Sequence, residues 1–225
     1  MFTQDQLKRL IVAQNTLNEH YIPNWKNKVP KEKFLAALQC EWAEFLESAP
    51  RFYDHKWWKP TMQDDIQNVK VEIVDLLHFG LSLMILQQKG IHFDEENNIN
   101  VEKFDKFYSL LRSEYLILRE ESIDIYNNLI SVQELFTKIS IFSISEEKVD
   151  LFGLVFTLFL RSLCFYVNWS FLDLYEAYWK KNELNILRIQ NGYMEGKYQK
   201  VDENGEEDNR RLAIWYINIK IRIDL

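Results

Sequence analysis

Glu41-Trp-Ala-Glu44 and Glu72-Ile-Val-Asp75 each set two carboxylates three positions apart. On a helix that spacing puts both acids on one face, with Cβ atoms about 5 to 6 Å from each other. Both pairs lie in apolar stretches, LQCEWAEFL and VEIVDLLHFGLSL. Neither has the Lys or Arg at i+4 that marks a solvated acidic face, since positions 45, 48, 76 and 79 are Phe, Ser, Leu and Phe. Four ionised carboxylates meeting at about 5 Å would repel by roughly 3 kcal/mol per pair at an effective dielectric of about 20. Such a group takes up protons or holds cations. All-oxygen donors without a Cys/His set favour a hard ion, Mg²⁺, which commonly joins protein carboxylates to substrate phosphates. The plainer alternative is that these acids flank apolar helix positions by chance, and spacing alone does not decide between the two.

A di-iron carboxylate bundle needs Glu-x-x-His on two helices. None of His20, His55, His78 or His92 follows a Glu at that distance, and Asp75-x-x-His78 is a near miss. A second polar cluster is KKNELNILR followed by NGYMEGKYQK. Lys181, Asn185 and Arg188 share a helical face there and can meet an anion, with Tyr193, Lys197 and Lys200 just beyond. It is not a P-loop, because three residues rather than four separate Gly192 from Gly196 and Tyr follows Lys197. A solvated basic helix end, favoured by the macrodipole, is the simpler account. Trp57 and Trp58 beside Lys56 and Lys59 can offer a stacking face for a base. Gln14, Asn15 and Asn18 lie near one side of the first helix and can read a base edge.

The elements that must position these residues are helical by pattern. Thr3 and Gln6 form a capping-box signature ahead of Leu7, Leu10, Ile11 and Leu17. A second helix runs from Pro30 to about Ser48, where Pro50 stops it. A third, long one follows Asp64 or Asp65 to Gln88, with Gly90 at a C′ position. Residues 91 to 100 form a surface loop, and further helices are expected at about 101–120, 122–140, 146–167 and 170–189. Residues 192 to 205 form an ordered loop or flap. After Ile217, alternation of Ile with polar residues leaves strand and helix in competition.

Six Gly and four Pro in 225 residues are too few for the turns of a β-sandwich or barrel, so the fold class is all-α. The chain is expected to form one catalytic domain over 1–225, with a mobile subregion at about 91–150. Thirty-four acidic against 27 basic residues, a net charge of −7, argue against a nucleic-acid binder. The most apolar run, Leu151 to Leu172, is interrupted by Arg161 and Asn168, so no membrane span is expected. Two cysteines outside any Cys/His cluster suit a reduced, cytoplasmic compartment.

Together these motifs resemble the dimeric all-α dUTPase family, a branch of the all-α nucleoside triphosphate pyrophosphatases. The resemblance is carried by Glu41-x-x-Glu44 with Glu72-x-x-Asp75, AQNTLN near the start, and KNELNILRIQNGYMEGKYQK followed by GEEDN. It covers about residues 7 to 209. The sequence departs from the family pattern at Ile189, where Gln is usual, in lacking a Trp near Asn204, and in a small insertion at 49–52. The resemblance implies a helical bundle core with additional helices and a Gly/Lys/Tyr-rich C-terminal segment. It implies Mg²⁺-dependent hydrolysis of dUTP, and of dUDP, to dUMP by a homodimer, with water attacking the β-phosphorus. Glu41, Glu44, Glu72 and Asp75 would hold Mg²⁺, with Glu41 orienting and deprotonating the water together with Glu44. Lys181, Asn182, Asn185, Arg188, Tyr193, Lys197 and Lys200 would clamp phosphates or sugar. Gln14 or Asn15, Asn18, Trp58 and His78 would form the uracil and deoxyribose pocket. Two alternatives stay open: a related pyrophosphatase of dCTP or a broader set of nucleotides, and a non-catalytic helical interaction module.

Overall fold

A computed structural model describes residues 1–87, 90–121, 129–144, 149–203, 205 and 207–209. Eight α-helices run in chain order among them: α1 Gln4–Tyr21, α2 Trp25–Lys28, α3 Lys31–Ser48, α4 Ile66–Gln87, α5 Val101–Glu121, α6 Leu129–Ile144, α7 Val149–Tyr166 and α8 Phe171–Gln190. Among the described residues there is no strand, and two isolated antiparallel bridges, Phe93 with Ile99 and Val201 with Glu207, close loops. The all-α expectation holds. No single described helix is long and apolar enough to cross a membrane.

Local chemistry explains the boundaries. Thr3 and Gln6 close a reciprocal capping box on α1, and Ser170 with Asp173 does the same for α8. Asp65 accepts the Asn68 N–H at 3.1 Å at the start of α4. Two short elements escaped the sequence pattern, α2 and a 3₁₀ turn at Phe52–Asp54, each shorter than the window over which periodicity can be read. Gly90 is not a left-handed cap: among the described glycines, positive φ occurs at Gly192, Gly196 and Gly205. Its role is close packing, because a Cβ there would lie 2.6 Å from Phe107 Cβ. The stretches 122–128 and 145–148, within the subregion expected to move, and the alternating C-terminal stretch lie outside the described residues.

Helix α4 is the axis of the bundle, packing against α1, α3, α7 and α8. That burial on nearly every side is why its sequence reads as an almost unbroken apolar run. Trp42 and Phe45 fix the rotation of α3. Trp42 stacks on Phe45 at 5.1 Å and on Phe136 at 5.2 Å and meets Phe159 edge-on at 5.2 Å. With those rings in the core, Glu41 and Glu44 are turned to the rim facing α4.

Gly80 sets how near α7 comes to α4. A Cβ at this position would lie 1.8 Å from Cζ of Phe156, whose ring is fully buried. Gly80→Ala gains about 1 kcal/mol of helix propensity but forces a rigid ring to move, an overpacking cost of about 1 to 3 kcal/mol. Net destabilisation is expected, read as a lower urea midpoint at unchanged slope. An unchanged or raised midpoint would show that the α4–α7 contact yields freely.

Candidate active site

Four helices converge on one cleft of about 710 Å³. Helix α3 supplies Glu41 and Glu44, α4 supplies Glu72, Asp75 and His78, α8 supplies Lys181, Asn185 and Arg188, and α1 supplies Gln14 and Asn18. The two acidic pairs, about 30 residues apart in sequence, do meet. One carboxylate oxygen from each of Glu41, Glu72 and Asp75 lies within 4.8 Å of the others. Glu44 lines the same cleft but is exposed and stands outside that group, so three carboxylates converge rather than the four expected.

Proximity and burial perturb these acids. Burial, then the charges of Asp75 and Glu44, push the Glu41 carboxyl well above the usual carboxylate range. Burial, Asp75 and Glu41 do the same to Glu72. Glu41 and Glu72 thus face each other across the same group of carboxylate oxygens. Asn68, one turn before Glu72, bridges Ser48 Oγ at 2.7 Å and Glu72 Oε1 at 2.8 Å and so aims that carboxyl. A compact set of oxygen donors whose mutual repulsion and burial push its carboxyls toward protonation fits a hard divalent cation.

The opposite wall is cationic, and its charges are already engaged. Buried Lys181 donates to Asp75 Oδ2 at 2.7 Å and to Asn209 Oδ1 at 3.0 Å. Arg188 grips Asp208 bidentately, Nε to Oδ2 at 2.9 Å and Nη2 to Oδ1 at 2.5 Å, while Nη1 reaches Asn185 at 3.2 Å. Tyr198 adds a 2.9 Å hydrogen bond to Asp208. Burial would raise the Asp208 carboxyl, but Arg188 and Tyr198 hold it below its usual range. Tyr193 meets Tyr21 edge-on at 6.3 Å, and the Lys200 ammonium lies 5.4 Å from the Tyr193 ring centre.

Four residues expected at the site are not among those lining the cleft. Asn15 is structural: it accepts from Trp25 Nε1 at 3.1 Å and donates to Asn97, tying α1 to the loop after α4. Gln14 is thus the amide of that pair facing the cleft. Trp58 is exposed and edge-on to Trp57 at 6.0 Å. Lys197 is exposed, and Asn182 is buried outside the lining. Conversely, Asn68, Tyr21, Asp208 and Asn209 escaped the sequence reading as working residues. Asn68 stands at i−4 from Glu72, a spacing that could have exposed it. Asp208 is brought in by the chain reversal after α8, which no local pattern encodes.

The fold and cleft define an all-helical protein with a carboxylate cluster suited to a divalent cation, faced by a wall that carries Lys181 and Arg188. A family model described as dUTPase matches residues 6–193, most of the chain. The chain therefore belongs to the dUTPase family, whose members are dUTP diphosphatases that need a divalent metal. A search of curated proteins gave no match.

Raised carboxyl pKa values bind protons more tightly in the folded than in the unfolded chain. Their contribution is complete below the ordinary carboxylate range and is lost as pH rises through the raised folded values. Buried His78, whose pKa is lowered, works in the opposite sense below about pH 7, so cation-free protein should melt at progressively lower temperature from about pH 7 to about pH 9. Added divalent cation should restore stability, with an increment that grows with pH. A melting temperature that rises with pH over that interval, in the absence of cation, would contradict the arrangement of Glu41 and Glu72.

Proposed function

We propose that this cleft hydrolyses dUTP and dUDP to dUMP with Mg²⁺, by attack of water on the β-phosphorus. The observation that carries the proposal is the meeting of Glu41, Glu72 and Asp75 within 4.8 Å, opposite Lys181 and Arg188. Glu41, Glu72 and Asp75 hold the ion, and Glu44, at the rim of the same cleft, completes a four-carboxylate set. Bound Mg²⁺ supplies charge neutralisation for the phosphate chain and acidifies coordinated water. Half-buried at the edge of this group, Glu41 is a carboxylate held in place by α3. That suits it to orient water and take its proton, with Glu44 beside it.

Lys181, Asn185, Arg188, Tyr193 and Lys200 hold the phosphates, with Asn182 and Lys197 contributing from just outside the lining. A triphosphate approaching Arg188 exchanges places with the Asp208 carboxylate, since both bind the same fork of N–H donors. In-line displacement is then chiefly positioning and charge neutralisation. Gln14, Asn18 and His78 face the base and sugar. Trp58, exposed and outside the cleft lining, would add a stacking face. The working unit is a homodimer of a single catalytic domain in the cytoplasm, consistent with two cysteines that are free thiols.

Glu41→Gln should keep the fold and lower turnover by at least about 100-fold; hydrolysis of dUTP at the wild-type rate by that variant would end the mechanism. Product release from dUTP, dUDP, dCTP and dTTP, each with and without Mg²⁺, tests substrate and metal together. Strong preference for the uracil nucleotides is expected, and equal rates with dCTP would establish the broader pyrophosphatase instead. Sedimentation as a monomer would remove the homodimer.

A further inference from the structure

A chain of hydrogen bonds runs from α4 to α1 and α8, and its direction is set at one end. Ser82 Oγ donates to the carbonyl oxygen of His78 at 3.0 Å. A carbonyl only accepts, so the single hydroxyl proton is committed there and Ser82 must accept from its other neighbour, Asn18 Nδ2, at 2.9 Å. With its nitrogen on Ser82, Asn18 turns its oxygen to Gln14, whose Nε2 donates at 2.9 Å. The Gln14 oxygen then faces both His78 Nδ1 at 2.7 Å and the Tyr178 hydroxyl at 3.1 Å. As an acceptor it obliges both to donate.

The proton of a neutral His78 is thereby assigned to Nδ1, leaving a lone pair on Nε2. Burial and the nearby Lys181 charge hold the imidazole neutral, with its pKa well below the usual histidine value. Nε2 has no hydrogen-bond partner among the described residues. Tyr178, fully buried, also stacks on the His78 ring at 4.4 Å with the planes 24° apart. Gln14, Asn18, His78 and Ser82 all line the cleft, whereas Tyr178 stands behind them.

We propose that Ser82 and Tyr178 are positioning residues that fix the hydrogen-bonding polarity of the base pocket, so that it presents amide N–H donors while the lone pair on His78 Nε2 stays buried. Each of Gln14 and Asn18 spends one amide N–H inside the chain and keeps a second for ligand. Two donors complement a base edge with two carbonyls, which is the edge of uracil. Cytosine carries an amino donor in place of one of those carbonyls, so donor would meet donor, which disfavours binding. The inference rests on the uracil reading above, and it adds that selectivity originates in two residues behind the contact layer.

Long-range ¹⁵N-edited NMR of the ligand-free protein reads the tautomer directly. Nδ1–H is expected for His78 in the wild type, and a mixture of tautomers in Ser82→Ala, where the anchor is gone. Kinetics supplies the second arm: Ser82→Ala and Tyr178→Phe should each lower the ratio of kcat/KM for dUTP over dCTP by roughly ten-fold, chiefly through KM for dUTP. Both changes remove one oxygen and retain the ring or backbone, so far-ultraviolet circular dichroism should confirm the fold. An Nε2–H tautomer in the wild type, or wild-type discrimination in both variants, would overturn the proposal. An Nδ1–H tautomer in a wild-type enzyme that does not favour uracil nucleotides would defeat the substrate reading while upholding the polarity of the network.

Discussion

Like charges forced together inside a helical core are the constraint around which this molecule is arranged. Three carboxylates from α3 and α4 meet at a part-buried group, where burial and mutual repulsion push Glu41 and Glu72 toward protonation and Lys181 stands against Asp75. Each neighbouring element serves that arrangement. Trp42 and Phe45 occupy the core and so turn Glu41 toward α4, Asn68 aims Glu72, and α8 brings its cations across from the other side. An apolar replacement of comparable volume would make a more comfortable core. The retention of acids there is intelligible as the cost of a functional site.

Helix α4 unites the two halves of the chemistry. Its first turns carry Glu72 and Asp75, and its next carry His78 and Ser82, so the acidic end and the polar chain toward α1 sit on one rigid rod. Gly80 lies between Ser82 and His78, and the absence of its side chain lets Phe156 of α7 close against the rod from behind. The rod is therefore held on the face away from the ligand, leaving its polar face open to the cleft.

Much of this was legible in the amino-acid order. The acidic pairs were visible because each lies within one helix turn and because the residues around them are apolar. Lys181, Asn185 and Arg188 were placed the same way, by a shared helical face, while His78 entered through the family resemblance; the capping box of Thr3 and Gln6 fixed where α1 begins. What escaped depends on contacts between distant segments. Asn15 and Gln14 are adjacent and alike, and only the arrival of Asn97 from a loop more than 80 positions later separates the structural amide from the one facing the cleft. Glu44 matches Glu41 in type and spacing, yet a helix face is wide enough for one to reach the cluster while the other stays at the rim. Gly90 reads in the sequence as a cap, and its packing role follows only from Phe107, a residue of a later helix, lying against it.

The resting cleft already contains surrogates for what it binds. Asp208 sits on Arg188 as a phosphate oxygen would, and Lys181 holds Asp75 as a metal would. Neither cation is bathed in solvent, so the work of stripping their hydration was done when the chain folded. On the function proposed, occupation of the cleft is ion exchange more than ion capture: an incoming phosphate chain would shed its own water and evict a carboxylate, and the displaced acid would return to close the gap once product leaves.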